Sequence, residues 1–246
     1  MTTQQQPPGR PGRPGRRWAR HALAGAVAAL LLVVGTGILS RVGDADRAPA
    51  PPSPGPATSG APSVPEPGGL GPTDLLGVAE IERLEPERTW HVARTDDNTA
   101  GSGLNTLCQG ERFADPHGTA ALVRTFYATG APRRGAVESV EVSASRQAAG
   151  RAYRAVLGWY AGCRVGRLQL VDSFAVGRVG DRATVMTLRR SERPVTSVGV
   201  AVARVGTVTT SVVTTTVGGP PPSPRLLATT LAGAVARVCP VAGRTG

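Results

Sequence analysis

Residues 146–163, RQAAGRAYRAVLGWYAGC, carry apolar side chains on one stripe. The side chains recur every three or four residues, which is the spacing of an amphipathic helix. Arg146, Arg151 and Arg154 fall off the stripe. We therefore predict a helix that turns Cys163 towards a core. The stripe consists of Ala149, Ala152, Tyr153, Val156, Trp159, Tyr160 and Cys163.

The period of the apolar side chains changes to two on both sides of this helix, which predicts strands. Before the helix, three extended runs are expected, and the last two form a hairpin around 131–134. After it, four runs follow one another with short turns, as in an antiparallel sheet. The runs are 88–95, 119–130 and 135–144, then 168–177, 183–190, 195–204 and 207–217.

Two further helices complete the predicted domain. Thr73 and Asp74 are suited to cap a short helix that reaches Ile81 and stops before Pro86. Ser223 caps and Pro224 opens a C-terminal helix with its own apolar stripe. The stripe consists of Leu227, Thr230, Leu231, Ala234, Val235 and Val238, with Cys239 at its margin. The sequence thus predicts an α+β fold, an antiparallel sheet packed with helices.

A membrane-spanning helix is predicted ahead of this domain, at residues 22–39, ALAGAVAALLLVVGTGIL. Eighteen uncharged residues cover about 27 Å of hydrocarbon as a helix. Residues 1–21 contain five arginines and no carboxylate, and we expect them to be a disordered basic tail. Because positive charge stays on the cytoplasmic side, the N-terminus is predicted in the cytoplasm and the rest of the chain outside.

Residues 40–73 are predicted to be a proline-rich linker, because 48–73 contain nine prolines and few bulky apolar side chains. Residues 74–246 then form an extracellular domain. A cleaved signal peptide is the alternative interpretation of the apolar segment, but its run is long and the cleavage site is poor. Either interpretation exports the domain.

The charge of the chain is strongly positive, with a formal net charge of +11 and a pI near 11.2. All 28 basic residues are arginines, and beyond the tail they are scattered singly or in pairs along the sequence. Nucleic-acid binding needs clustered cations and stacking platforms, and aromatic residues are only 4% of the chain. No nucleic-acid partner is therefore predicted.

Three cysteines, Cys108, Cys163 and Cys239, bear on the chemistry of the domain. In an oxidising compartment buried cysteines pair, so a structural disulfide is the leading interpretation. A nucleophilic cysteine or a zinc site is less consistent with the sequence, because neither His91 nor His117 has a diagnostic spacing and no CxxC occurs. Three pairings are possible and close loops of similar entropy, about 4 kcal/mol for 108 with 163, so energetics does not choose between them.

No catalytic, cofactor-binding or metal-binding residues are predicted. Glu138 and Glu141 point to opposite faces of a strand, and like Asp96, Asp97, Asp115, Asp172 and Asp181 they are interpreted as solvated surface. There is no GxSxG motif, and GSG at 101–103 is interpreted as a flexible loop. Trp90, Arg124 and Tyr127 lie on strand faces, where lining a pocket is one interpretation and ordinary core or surface roles are the leading one.

The order of these features resembles the actinobacterial PknH-like extracellular sensor domain over about residues 74–239. The matching motifs are LCQG (107–110), GWYAGC (158–163) and the Gly-Asp turn at 180–181. The resemblance implies an α+β fold, a cleft for an unidentified ligand and a disulfide between Cys108 and Cys163. The spacing W-x3-C differs from the expected W-x2-C, and Cys239 has no assigned partner.

The resemblance also implies a function. In that family the domain forms the outer part of a Ser/Thr kinase, but this chain has no lysine and no glycine-rich loop for phosphate binding. The leading hypothesis is a membrane-anchored extracellular sensor without catalysis, which binds a small-molecule or cell-wall ligand and acts through a membrane partner protein. An envelope scaffold that binds anionic wall polymers is the alternative, and an exported hydrolase is the third hypothesis.

Overall fold

The computed structural model describes residues 69–244. The predicted basic tail (1–21), the predicted membrane helix (22–39) and residues 40–68 of the predicted linker lie outside the described residues. The described part contains seven strands, three α-helices and two short 3-10 turns.

The strands form one antiparallel sheet in the order β1-β2-β3-β7-β6-β5-β4. The predicted hairpin at 119–144 and the four later strands are confirmed. The two groups meet where β3 pairs with β7, from Arg133 opposite Val217 to Val142 opposite Val208. The strand bounds are β1 Trp90–Asp96, β2 Ala120–Ala128, β3 Arg133–Val142, β4 Gln169–Ala175, β5 Arg182–Arg190, β6 Thr196–Val205 and β7 Val208–Val217.

Two helices pack on opposite faces of the sheet. α2 (Arg146–Ala161) packs against β6 and β7 on the face that carries Val198, Val200 and Val202. α3 (Pro224–Arg244) packs against the same strands on the other face, where Ala201 and Ala203 point. Because side chains alternate along β6, this strand contributes apolar residues to the core on each face of the sheet. We call these the α2 face and the α3 face.

Both predicted apolar stripes are buried. Ser145 caps α2 by accepting a hydrogen bond from the backbone N of Ala148 at 3.2 Å, and Ser223 accepts one from the N of Leu226 at 3.2 Å at the start of α3. α2 ends at Ala161, so Cys163 lies just beyond the helix, but it is buried as predicted. Cys239 is exposed and unpaired on α3.

α3 is the one helix of the described residues that is long and apolar enough to cross a membrane, with a mean hydropathy of 1.5 over Pro224–Gly243. Its stripe is packed on the sheet: Leu227, Leu231, Ala234 and Val238 are fully buried. We therefore interpret α3 as a core helix of the domain.

The predicted helix at 73–81 is only partly correct. α1 covers Val78–Glu82, and a 3-10 turn at Pro72–Asp74 precedes it. Leu76 lies between these two segments, where its backbone N donates to the Glu138 carboxylate at 2.6 Å and its backbone O accepts from Arg124 at 2.7 Å. Contacts with the sheet therefore override the local helical preference.

Candidate functional site

The α2 face is closed by two different kinds of structure. α2 covers β6 and β7, whereas residues 97–119, the connection between β1 and β2, lie over β2 and β3. We call residues 97–119 the loop. The candidate ligand site is the pair of cavities around this loop, one between the loop and α2 and the other between the loop and the sheet.

The GWYAGC motif, which forms the C-terminal end of α2 and the residues after it, is attached to the loop. Cys163 forms a disulfide with Cys108, with the Cα atoms 5.5 Å apart. The hydroxyl groups of Tyr160 and Thr106 are hydrogen-bonded at 2.7 Å. Burial raises the pKa of Tyr160 to about 12, so the phenol is neutral at physiological pH. The LCQG and GWYAGC motifs of the sequence are therefore contact partners.

Trp159 completes this attachment by packing on Gly110. A Cβ atom at Gly110 would lie 2.7 Å from the Trp159 ring, so only glycine allows this approach. The position of a glycine two residues after Cys108 thus has a packing reason. A covalent bond, a hydrogen bond and an aromatic contact, all from residues 159–163, hold the loop against the C-terminal end of α2.

Polar side chains give the loop a defined conformation. Asn98 is buried, and its amide donates to the backbone O of Gly103 at 3.0 Å and of Arg112 at 2.9 Å. Gln109 donates to the same two oxygens, at 3.0 and 3.1 Å. The GSG segment at 101–103, which we interpreted as flexible, is therefore tied to the rest of the loop by hydrogen bonds.

A buried carboxylate anchors the C-terminal part of the loop to β3. Glu141 accepts hydrogen bonds from the backbone N of Ala114 at 2.9 Å and of Asp115 at 3.0 Å. Burial raises the pKa of Glu141, and the neighbouring Asp115 adds to this effect. The prediction that Glu141 and Asp115 are solvated surface is wrong, because a strand pattern does not reveal that a distant loop covers the strand.

Two adjacent cavities lie where the loop meets the sheet. The inner cavity, between α2 and the loop, has a volume of about 20 Å³, enough for about one water molecule. Its floor includes Ser139 and Ser211, whose hydroxyl groups are hydrogen-bonded at 2.7 Å. The outer cavity has a volume of about 270 Å³ and is lined by Asp97, Asp115 and Glu141 among others.

The two cavities share three wall residues, Phe113, Ala121 and Glu141. One Oδ oxygen of Asp115 is buried without a hydrogen-bond partner among the described residues, whereas the other accepts from the backbone N of His117. A displacement of the loop would join the cavities. The arrangement can accommodate a small polar ligand in the outer cavity, beside apolar surface in the inner one.

Glu138, on the α3 face, is a second buried carboxylate. It is fully buried, accepts one hydrogen bond from Leu76, and leaves one oxygen without a partner among residues 69–244. Burial raises its pKa to about 8. The prediction of a solvated Glu138 is wrong as well, because the segment before α1 folds over it.

The other singled-out residues lie apart from the cavities. Trp90 is buried in the core of the α3 face, as one of its two predicted roles requires. Arg124 donates to the backbone O of Pro72 at 3.0 Å and to that of Leu76. Tyr127 is exposed and stacks on His91 with ring centroids 5.2 Å apart.

Metal binding finds no support in the geometry of the described residues. Across 69–244, no group of three or more His, Cys, Asp or Glu side chains is arranged to hold a metal ion. The carboxylates that line the outer cavity are engaged instead in positioning the loop.

The fold collects charges that are scattered along the chain. Residues 69–142, which include β1 to β3, hold eleven carboxylates and seven arginines, a formal charge of −4. Residues 143–244 hold three carboxylates and fourteen arginines, a formal charge of +11. Because β4 to β6 lie at one side of the sheet and β1 to β3 at the other, the domain is electrically polarised.

The fold is similar to that in a solved structure, the extracellular domain of PknH from Mycobacterium tuberculosis. The TM-score is 0.52 and the identity 9%, with 66% of this chain and 93% of that chain covered. At this identity the likeness concerns the fold, and at that level the resemblance seen in the motifs is confirmed. No protein-family model and no curated protein matches the sequence.

The sequence identified Cys108, Cys163 and the neighbouring aromatic residues Trp159 and Tyr160, but it did not identify the residues that hold the loop. Asn98, Gln109 and Glu141 act through backbone groups close in space, and such contacts leave no periodic signal. Gly110 follows Cys108 by two residues, and Trp159 precedes Cys163 by four. These two spacings were the one available hint in the sequence that Gly110 packs against Trp159.

Proposed function

We propose that the chain is a single-pass membrane protein whose extracellular domain is a sensor that binds a ligand between α2 and the loop. The observation that carries the proposal is the fold shared with the extracellular domain of PknH. The proposed anchor is the segment 22–39, with the N-terminus in the cytoplasm. The module has no catalytic activity of its own in this proposal.

The construction of the α2 face supports a ligand site at this position. A face closed by a loop with one covalent attachment, at Cys108, can open at its other contacts without loss of the sheet. Glu141 and Tyr160 then provide polar groups beside the apolar side chains of Val123 and Val156. Ligand sites commonly combine apolar walls with a few placed polar groups.

Thermal shift of the full-length protein in detergent micelles tests the proposal. The probes are soluble cell-wall precursors and small metabolites, each titrated to saturation. A ligand that binds the folded state stabilises it by about 2.7 kcal/mol at one hundred times its Kd. Saturable stabilisation by one probe is the expected result.

A pair of matched variants locates the binding. Ala121→Phe places a ring where the two cavities meet and should abolish the stabilisation, whereas Ala93→Phe, on the exposed surface of β1, should leave it unchanged. Salt-sensitive binding of anionic wall polymers without a saturable small ligand would favour the scaffold alternative. Turnover of any probe would favour the hydrolase.

A further inference from the structure

The edge strand β4 is an exposed part of the sheet with an unusual composition. All seven residues of Gln169–Ala175 are exposed. Three of them are large apolar side chains: Leu170 is 40% exposed, Val171 64% and Phe174 38%. Leu170 lies beside Leu188 on the α2 face, and Phe174 lies beside Val185 on the α3 face. Each face of the edge therefore carries a large apolar side chain, and Asp172, at the centre of the strand, is its one charged residue.

The backbone of β4 is open along one side. Within residues 69–244, β4 pairs with β5 alone, so half of its N–H and C=O groups point away from the sheet. The opposite edge strand, β1, is better protected: α1 packs on it, and Trp90 is buried. Natural proteins usually cover or charge such edges, so an apolar open edge indicates a binding surface.

The surroundings of β4 are cationic. Arg164 and Arg167 line a recess of about 600 Å³ together with Gln169 and Leu170 at the start of the strand. Arg189, opposite Gln169 on β5, and Arg193 are exposed at the same end. Arg167 pairs with Glu192, and Arg164, Arg189 and Arg193 have no ion pair among the described residues. An acidic partner would neutralise these charges.

We propose that β4 binds an extended acidic segment of a partner protein, which adds an eighth strand to the sheet. In this mode of recognition, backbone hydrogen bonds provide affinity and alternate side chains provide specificity. Valine, isoleucine or leucine of the partner would contact Leu170 and Phe174. Aspartate or glutamate would meet Arg164, Arg189 and Arg193.

Three other occupants of the β4 edge are disfavoured: a second copy of the chain, its own proline-rich segment and a phosphate polymer. A second copy that paired antiparallel through β4, in the register centred on the strand, would place Asp172 opposite Asp172, which is repulsive. The segment 48–73 of this chain contains nine prolines, which lack the N–H that strand pairing needs. A phosphate polymer would satisfy the arginines, but it offers neither backbone pairing nor apolar contacts for Val171. The inference does not depend on the ligand proposed for the loop.

Fluorescence anisotropy with the full-length protein in detergent micelles tests the proposal. The probe is a labelled eight-residue peptide, EEVVEEVV, which as a strand presents both glutamate and valine on each face of the sheet. It should bind saturably, more weakly as salt rises, and slow hydrogen exchange of the β4 amides. The matched peptide KKVVKKVV should not bind, and N-methylation of the acidic peptide at alternate residues should abolish binding.

Two pairs of variants supply the controls. Val171→Asp should weaken peptide binding about tenfold, the effect of lost apolar contact and added like charge, whereas Val92→Asp on β1 should not change it. Arg189→Glu should act like Val171→Asp, and Arg133→Glu, exposed at the start of β3, should have little effect. Equal weakening by both members of a pair would overturn the assignment to β4.

Three further outcomes would contradict the proposal. Binding of the acidic peptide without protection of β4 amides would place it elsewhere on the cationic surface. Polyphosphate binding that survives Val171→Asp, with no peptide binding, would make the surface a polyanion site. Concentration-dependent dimerisation that Val171→Asp abolishes would make β4 an interface between two copies of the chain.

Discussion

The two faces of the sheet are closed in different ways. On the α3 face, a single apolar helix covers the centre of the sheet, and Leu227 and Leu231 are fully buried. On the α2 face, a helix covers one half, and a polar loop attached by the Cys108–Cys163 disulfide covers the other. The first face depends on continuous apolar burial, and the second on a few specific bonds.

This difference shows where the domain can change its structure. Apolar burial is spread over many residues, so the α3 face opens only when the domain unfolds. The loop buries few apolar side chains, and its contacts can be broken one at a time. A structural change short of unfolding is therefore expected on the α2 face, and the α3 face supplies the stability.

Removal of the disulfide is expected to have the largest effect. The double variant Cys108→Ser with Cys163→Ser should lose about 4 kcal/mol of unfolding free energy in urea, because the crosslink closes a loop of 55 residues. The control Cys239→Ser removes an exposed free thiol and should change stability by less than about 0.5 kcal/mol. Unchanged stability of the double variant would mean that hydrogen bonds alone hold the loop.

Truncation of an apolar side chain tests the other face. Leu231→Ala should cost about 3 kcal/mol, since it leaves a cavity in the fully buried core. Leu226→Ala, at an exposed position of the same helix, should cost no more than about 0.5 kcal/mol. Similar losses in the two variants would show that α3 is held by something other than its buried stripe.

The buried Glu138 makes the α3 face sensitive to pH. Burial raises the pKa of Glu138 from 4.5 to about 8 in the folded state, so the folded protein keeps a proton that the unfolded chain loses. The stabilisation from this proton is lost as the pH rises through this range. The unfolding free energy should fall by up to about 1.4 kcal/mol per pH unit between pH 5 and pH 8.

Glu138→Gln should reduce this slope, measured by urea unfolding at several pH values. Part of the slope should remain, because the pKa of Glu141 is raised as well. Glu111→Gln, at an exposed position of the loop, is the control and should leave the slope unchanged. A pH-independent wild-type stability would mean that Glu138 is not buried as the structure has it.

The close approach of α3 to β6 predicts a smaller effect. A Cβ atom at Gly199 would lie 2.6 Å from Leu227 Cδ1 and 2.7 Å from Thr214 Oγ1. Gly199→Ala should therefore cost about 1 to 2 kcal/mol through overpacking. Gly177→Ala, which has no atom within 4 Å of its new Cβ, is the matched control. Equal stabilities would show that α3 can shift on the sheet without penalty.

The fold was largely predictable where local geometry repeats. The stripe from Ala149 to Tyr160 and the alternation in β6 and β7 identify a helix and strands, because side-chain direction follows backbone period. The helix at Val78–Glu82 was misplaced because Leu76 binds Glu138 and Arg124, residues 62 and 48 positions away. A separation of 27 residues likewise hid the burial of Glu141 beneath Ala114.

By itself the sequence determined most elements of the domain, their apolar faces and the position of Cys239 at the margin of the α3 stripe. Only the tertiary structure decided that β3 joins β7, that the loop covers half of the α2 face, and that Glu138 and Glu141 are buried. It also decided that scattered arginines collect beside β4. The physical reason is that periodicity reports the conformation of neighbouring residues, whereas burial and charge clustering arise from chain segments that meet only after folding.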